Sequence, residues 1–144
     1  MAIVVSQYHE RVTSQLLAGA LQCCTEAGLG AEEIDVLWVP GAFELGVAIE
    51  AAAASKRYAC VVALGAVIRG ETPHFDFVAG AAARALAGTA ISHRIPVGFG
   101  LLTTDTLDQA RARAGGSAGN KGCEAAEAAI ATADLLRALD APGQ

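Results

Sequence analysis

Ala59 to Leu64, ACVVAL, running into Gly65 to His74, GAVIRGETPH, is the stretch on which the fold turns. Six residues without a charge read as a strand buried on both faces, and the ten that follow change into a helix start. Thr72 is placed to cap that helix through its hydroxyl. Pro73 suits the first helical position, where its missing N–H would be unpaired in any case, and His74 follows in the first turn. Free backbone N–H groups at a helix start attract an anion, and Arg69 and Glu71 add charge of both signs beside an imidazole. Such a junction suits chemistry on a phosphorylated molecule.

The same pattern repeats outward along the chain. Ala2 to Val5, Ile34 to Val39 and Ile95 to Leu101 join Ala59 to Leu64 as strand-length apolar runs, each expected to be buried on both faces. Val12, Leu16, Leu17, Ala20 and Leu21 fall on one face of a first helix that should stop near Gly28. Phe43 to Ser55 and His74 to Ser92 read as the second and third helices. Thr106-Leu107-Asp108-Gln109 has the capping-box form for a short fourth, ended by Gly115-Gly116, and a last helix spans about Gly122 to Leu139 before a frayed tail over about 140–144. Alternating strands and helices predict a single α/β domain over residues 1–144: a three-layer αβα sandwich, flavodoxin-like in outline, with a four-stranded parallel sheet and helices on both faces.

Composition narrows the partners. A net charge of −5 with no basic run argues against nucleic acid or an anionic membrane, and leaves small molecules. Cys23, Cys24, Cys60 and Cys123 show neither CxxC spacing nor a nearby His at ligand spacing, so no metal is expected and all four read as free thiols. Ile3-Val4-Val5 enters a strand with no basic region or long apolar segment before it, which makes the cytoplasm the expected compartment. The segment Val78 to Ser92 carries one charge, Arg84, too few for a helix with a wholly solvated outer face. This helix is expected to pack against another subunit as well as its own sheet.

In parallel sheets ligands collect beyond the carboxyl ends of the strands, here Gln7-Tyr8-His9, Gly41 to Glu44, Ala66 to His74 and Thr103-Thr104-Asp105. Tyr8 offers an aromatic face to a flat ring, though it could equally cover the sheet edge, and Glu44 offers a carboxylate to sugar-like hydroxyls, though taken alone it reads first as a complement to the helix dipole. Arg113 to Gly122, RAGGSAGNKG, combines glycines that permit close backbone approach with two cations able to hold phosphate. It matches neither the P-loop nor the GxGxxG fingerprint, and reads as well as a helix stop, a turn and a helix start.

Taken together, PGAFEL at 40–45, GAVIRGETPHFDFV at 65–78, FGLLTTDTLDQA at 99–110 and RAGGSAGNKGCEAA at 113–126 resemble the 6,7-dimethyl-8-ribityllumazine synthase family in order and interval, over nearly the whole chain from Ile3. The resemblance implies a transferase of riboflavin biosynthesis. It would condense 5-amino-6-(D-ribitylamino)uracil with 3,4-dihydroxy-2-butanone 4-phosphate and release phosphate and water, with no metal or redox cofactor. By position it makes His74 the proton-transfer residue and Arg113 the cation on the substrate phosphate, helped by backbone at Glu71 and Thr72. It places Tyr8 over the pyrimidine, Ala42, Phe43 and Glu44 along the ribityl chain and ring, and Ala66, Val67 and Ile68 at the pyrimidine edge. Phe99 and Arg113 would enter from a neighbouring subunit, with Lys121 and Glu124 close by.

The resemblance further implies a pentamer, which some members build into decamers or icosahedral shells, and association with riboflavin synthase. Seven residues precede Tyr8, a shorter lead than the shells use, so the pentamer is the expected unit. Two positions depart from the family pattern. Tyr8-His9 replaces the usual Phe-Asn or Trp-Asn, which keeps open a paralogue that binds flavin or lumazine with weak catalysis, beside one that mainly builds shells; Gly46 stands where proline is common.

Overall fold

The computed structural model describes residues 1–143, so Gln144 of the expected frayed tail lies outside the described residues. Four strands, β1 (Ala2–Ser6), β2 (Asp35–Val39), β3 (Val61–Ile68) and β4 (Val97–Thr104), form one parallel sheet in the order β2-β1-β3-β4. Five helices accompany it: α1 (Glu10–Glu26), α2 (Leu45–Ala54), α3 (His74–His93), α4 (Leu107–Ala112) and α5 (Lys121–Asp140).

Side chains alternate across a pleated sheet, and here the alternation divides the core in two. Ile3, Val5, Val62, Leu64 and Leu102 point to one face, where Leu16 of α1 and Ala125, Ala126 and Ala129 of α5 cover them. Ala2, Val4, Val61, Ala63 and Leu101 point to the other, under Leu45 and Ile49 of α2 and Ala82 and Leu86 of α3. The three-layer αβα sandwich expected from the sequence is therefore the fold.

Several expectations need correction. β3 continues four residues past Leu64, because β4 stays paired with it as far as Ile68 opposite Thr104. β2 is not buried on both faces: it is an edge strand bonded only to β1, and Leu37 and Trp38 remain exposed. β4, the other edge, leaves Phe99 half in solvent. A short 3₁₀ turn, Ala42–Glu44, precedes α2, so Phe43 and Glu44 sit before the α-helix proper. The third helix opens at His74, as its expected span has it, but Thr72 is not its cap. Pro73 takes the cap position, no side chain caps it, and the Thr72 hydroxyl receives the His74 N–H only at a long 3.5 Å.

The run after α4 is a small hairpin, β5 (Ala114–Gly116) and β6 (Gly119–Asn120), rather than a plain stop and turn. Gly115 and Gly119 adopt positive φ there, a region that side-chain-bearing residues enter at a cost. Asn120 then caps α5: its Oδ1 accepts the N–H groups of Gly122 and Cys123, and its Nδ2 donates to the Gln15 carbonyl of α1 at 3.0 Å. A Cβ on Gly122 would collide with that same stretch of α1 backbone, at Leu16, so the two helices meet almost backbone to backbone.

That close approach also corrects the reading of four free thiols. Cys23 of α1 and Cys123 of α5 form a disulfide with a Cα–Cα separation of 5.4 Å, leaving Cys24 and Cys60 free and buried. The pairing joins residues 100 apart in sequence, which no local spacing announces. Burial pushes the Cys24 and Cys60 thiols up, so both stay protonated. In the denatured, unreduced protein a thiol titration should find two reactive cysteines of four. Cys23→Ser should lower unfolding stability by about 2–4 kcal/mol, read from denaturant curves, and added reductant should bring the wild type to the same value.

Candidate active site

The carboxyl ends of β1 and β3, the 3₁₀ turn after β2 and the first turns of α3 surround a cavity of about 860 Å³. Its floor is the end of β3, Ala66, Val67 and Ile68, where the pleat leaves backbone beside small and branched side chains. Tyr8 and His9 form one wall and Ala42, Phe43 and Glu44 another, while Gly70, Thr72, His74, Phe75, Phe77 and Val78 close the side toward α3.

Around this cavity three large aromatics stand in solvent, Tyr8, Phe43 and Phe77 at 67%, 64% and 72% exposure. A flat, partly apolar ligand would cover surface that the folded chain leaves open, and the polar groups at hand sort by position. Glu44 has a carboxylate for hydroxyls. His74 lies in the first turn of a 20-residue helix whose opening N–H groups and dipole favour an anion.

His9, which the sequence places in the loop after the first strand, lines the cavity beside Tyr8. It adopts a left-handed backbone conformation, φ 59°, at the cap position of α1, and its carbonyl accepts the N–H groups of Val12 and Thr13. The ring lies edge-on to Tyr8 with centroids 4.6 Å apart, and burial pulls its pKa down, favouring the neutral imidazole. Its place just after the first strand was visible in sequence, but a strained backbone leaves no composition signal. Gly41, Gly70, Phe75, Phe77 and Val78 complete the lining.

Tyr8, Ala42, Phe43, Glu44, Ala66, Val67, Ile68, Thr72 and His74, all named from sequence, thus share one cavity. Five others stand outside it. Glu71 is exposed between two lining residues, Phe99 projects from edge strand β4, and Lys121 pairs with Glu124 at 2.9 Å on the first turn of α5. Arg113 lies just after α4, its Nη1 donating to the Gln109 carbonyl at 3.0 Å.

The model of the 6,7-dimethyl-8-ribityllumazine synthase family matches residues 1–137. The chain belongs to this family. A 6,7-dimethyl-8-ribityllumazine synthase from Gemmatimonas aurantiaca is 54% identical over 142 residues, spanning 98% of this chain and 87% of that protein. The lumazine synthase reaction of riboflavin biosynthesis, a transferase activity, accounts for a cavity that offers aromatic, carboxylate and imidazole groups together. No helix among the described residues is long and apolar enough to cross a membrane.

A His whose pKa is lowered by folding binds its proton more readily in the unfolded chain, so stability rises with pH across that range. For His9 the penalty should grow as pH falls below the unfolded value of about 6.5 toward the lower folded pKa. Denaturant unfolding at stepped pH should show this loss on acidification. His9→Asn, which tolerates the left-handed conformation, should flatten it.

Proposed function

We propose that the cavity condenses 5-amino-6-(D-ribitylamino)uracil with 3,4-dihydroxy-2-butanone 4-phosphate, and that each complete site takes residues from two copies of the chain. Tyr8 stacks on the pyrimidine, the ends of β3 at Ala66, Val67 and Ile68 read its edge, and Ala42, Phe43 and Glu44 hold the ribityl chain. The ring amine adds to the ketone and loses water to give an imine. Proton removal then expels inorganic phosphate, the enol left behind tautomerises to a ketone, and the ribitylamino nitrogen adds to that ketone and loses a second water to close the ring. His74 carries the protons, because an imidazole both gives and accepts them near neutrality. Arg113, with backbone at Glu71 and Thr72, grips the phosphate and stabilises it as it leaves.

The observation that supports a shared site is the separation of the signature residues. Nine line one cavity, while Phe99, half in solvent, and Arg113, bonded to the Gln109 carbonyl, stand elsewhere on the same chain. Helix α3 agrees with this reading, for Phe77 and Ile91 on it are 72% and 83% exposed, an apolar surface suited to a neighbour. We assign the pentamer as the working unit, with Phe99, Arg113 and, beside them, Lys121 and Glu124 reaching the adjacent cavity. The cytoplasm is the expected compartment, and riboflavin synthase, which consumes the product, the expected functional partner.

Formation of the lumazine chromophore from both substrates tests the reaction. Arg113→Ala should raise KM for the phosphorylated substrate by about 10- to 100-fold, the range of a lost charge-assisted hydrogen bond. His74→Ala should lower kcat by at least about 100-fold, the lower end for a positioned acid–base group. The two impaired variants, unfolded together and reassembled, should recover activity at limiting phosphorylated substrate, since mixed oligomers contain some sites with both residues intact. Mixtures that stay inactive while sedimenting as oligomers would place Arg113 and His74 in sites of the same chain.

A further inference from the structure

Arg69 is the first residue beyond β3, and its backbone N–H donates to the Thr104 carbonyl at 2.9 Å, adding one rung to the β3–β4 pairing. Its side chain then makes three contacts with two other segments. Nε donates to Asp105 Oδ1 at 2.9 Å, in the turn after β4. Nη1 lies 3.6 Å from Asp76 Oδ1, and the guanidinium carbon sits 4.3 Å from the centre of the Phe75 ring. Phe75 and Asp76 are the two residues directly after His74. Among the described residues, by contrast, no side chain hydrogen-bonds the His74 ring, and the only bond there that involves a side chain is the long one from the His74 N–H to Thr72.

We propose that Arg69 is the positioning residue for His74, a reading that rests on the proton-transfer role assigned to His74 above. Each ion pair is solvent-exposed and would do little alone. Their geometry matters more, since a planar guanidinium that lies over Phe75 while hydrogen-bonding Asp105 and pairing with Asp76 has few arrangements available to it. That arrangement fixes the rotation of the first turn of α3 against the ends of β3 and β4, and hence the direction in which the His74 ring enters the cavity.

Steady-state kinetics on the assembled protein test this. Arg69→Met should lower kcat by about 10- to 100-fold, the cost of a misplaced reacting group, and leave both KM values within about twofold. Arg69→Lys keeps the charge without the fork or the stacking plane, and should recover only part of kcat. In a His74→Gln background Arg69→Met should cost nothing further. Wild-type kcat in Arg69→Met, a rise in KM for the phosphorylated substrate with kcat intact, or a full additional loss in the His74→Gln background would each overturn the proposal. Should Arg69→Met fail to assemble, Asp76→Asn removes one contact from the other side, and an unchanged kcat there would overturn it equally. Wild-type kcat in His74→Gln alone would remove the proton-transfer reading itself, by a result that involves no Arg69 variant.

Discussion

Burial of β1 and β3 on both faces is the constraint from which the rest of this molecule follows. Two adjacent strands of Val, Ile, Leu and Ala cannot be left open on either side, so α1 and α5 must cover one face and α2 and α3 the other. With both faces taken, loops have room only beyond the strand ends. Parallel strands send all their carboxyl ends the same way, which gathers Tyr8, Gly41 to Glu44 and Ala66 to His74 along one edge of the sheet. The site is the place where that covering stops.

This explains which parts could be read from residues alone. An uncharged run such as Val61 to Leu64 states its own burial, and Thr106 with Gln109 states its own cap; the structure has that capping box, with Gln109 N–H donating to Thr106 Oγ1 at 3.1 Å. Strand ends were misplaced where pairing, not composition, decides them. Gly65 to Ile68 reads as loop because it precedes reactive residues, yet β4 holds it in the sheet. The exposure of β2 depends on having one neighbour instead of two, a property of strand order that no residue in Asp35–Val39 encodes.

The site was legible for the same reason and to the same limit. Residues following strands converge by topology, so naming the strands named most of the cavity. What stayed hidden depends on side chains meeting across distant segments: the Cys23–Cys123 bond, the Arg69 bridge between Asp76 and Asp105, and the left-handed turn at His9. Each joins groups whose sequence separation carries no hint of contact, or sets a backbone angle that several residue types could adopt.

The β5–β6 hairpin separates two jobs that its sequence runs together. At its base the Lys121 N–H donates to the Arg113 carbonyl at 2.9 Å, so these two cations, eight positions apart along the chain, are neighbours in space. Glu124 offsets Lys121, and among the described residues Arg113 has no carboxylate partner, which leaves its charge free to meet an incoming anion. The tip, Ser117 and Ala118, is exposed and touches neither side chain's bonds. The hairpin is held at both ends: Ala118 at the tip donates its N–H to the Ala112 carbonyl at 2.9 Å, while the Lys121–Arg113 bond sets the spacing of the two cations at the base.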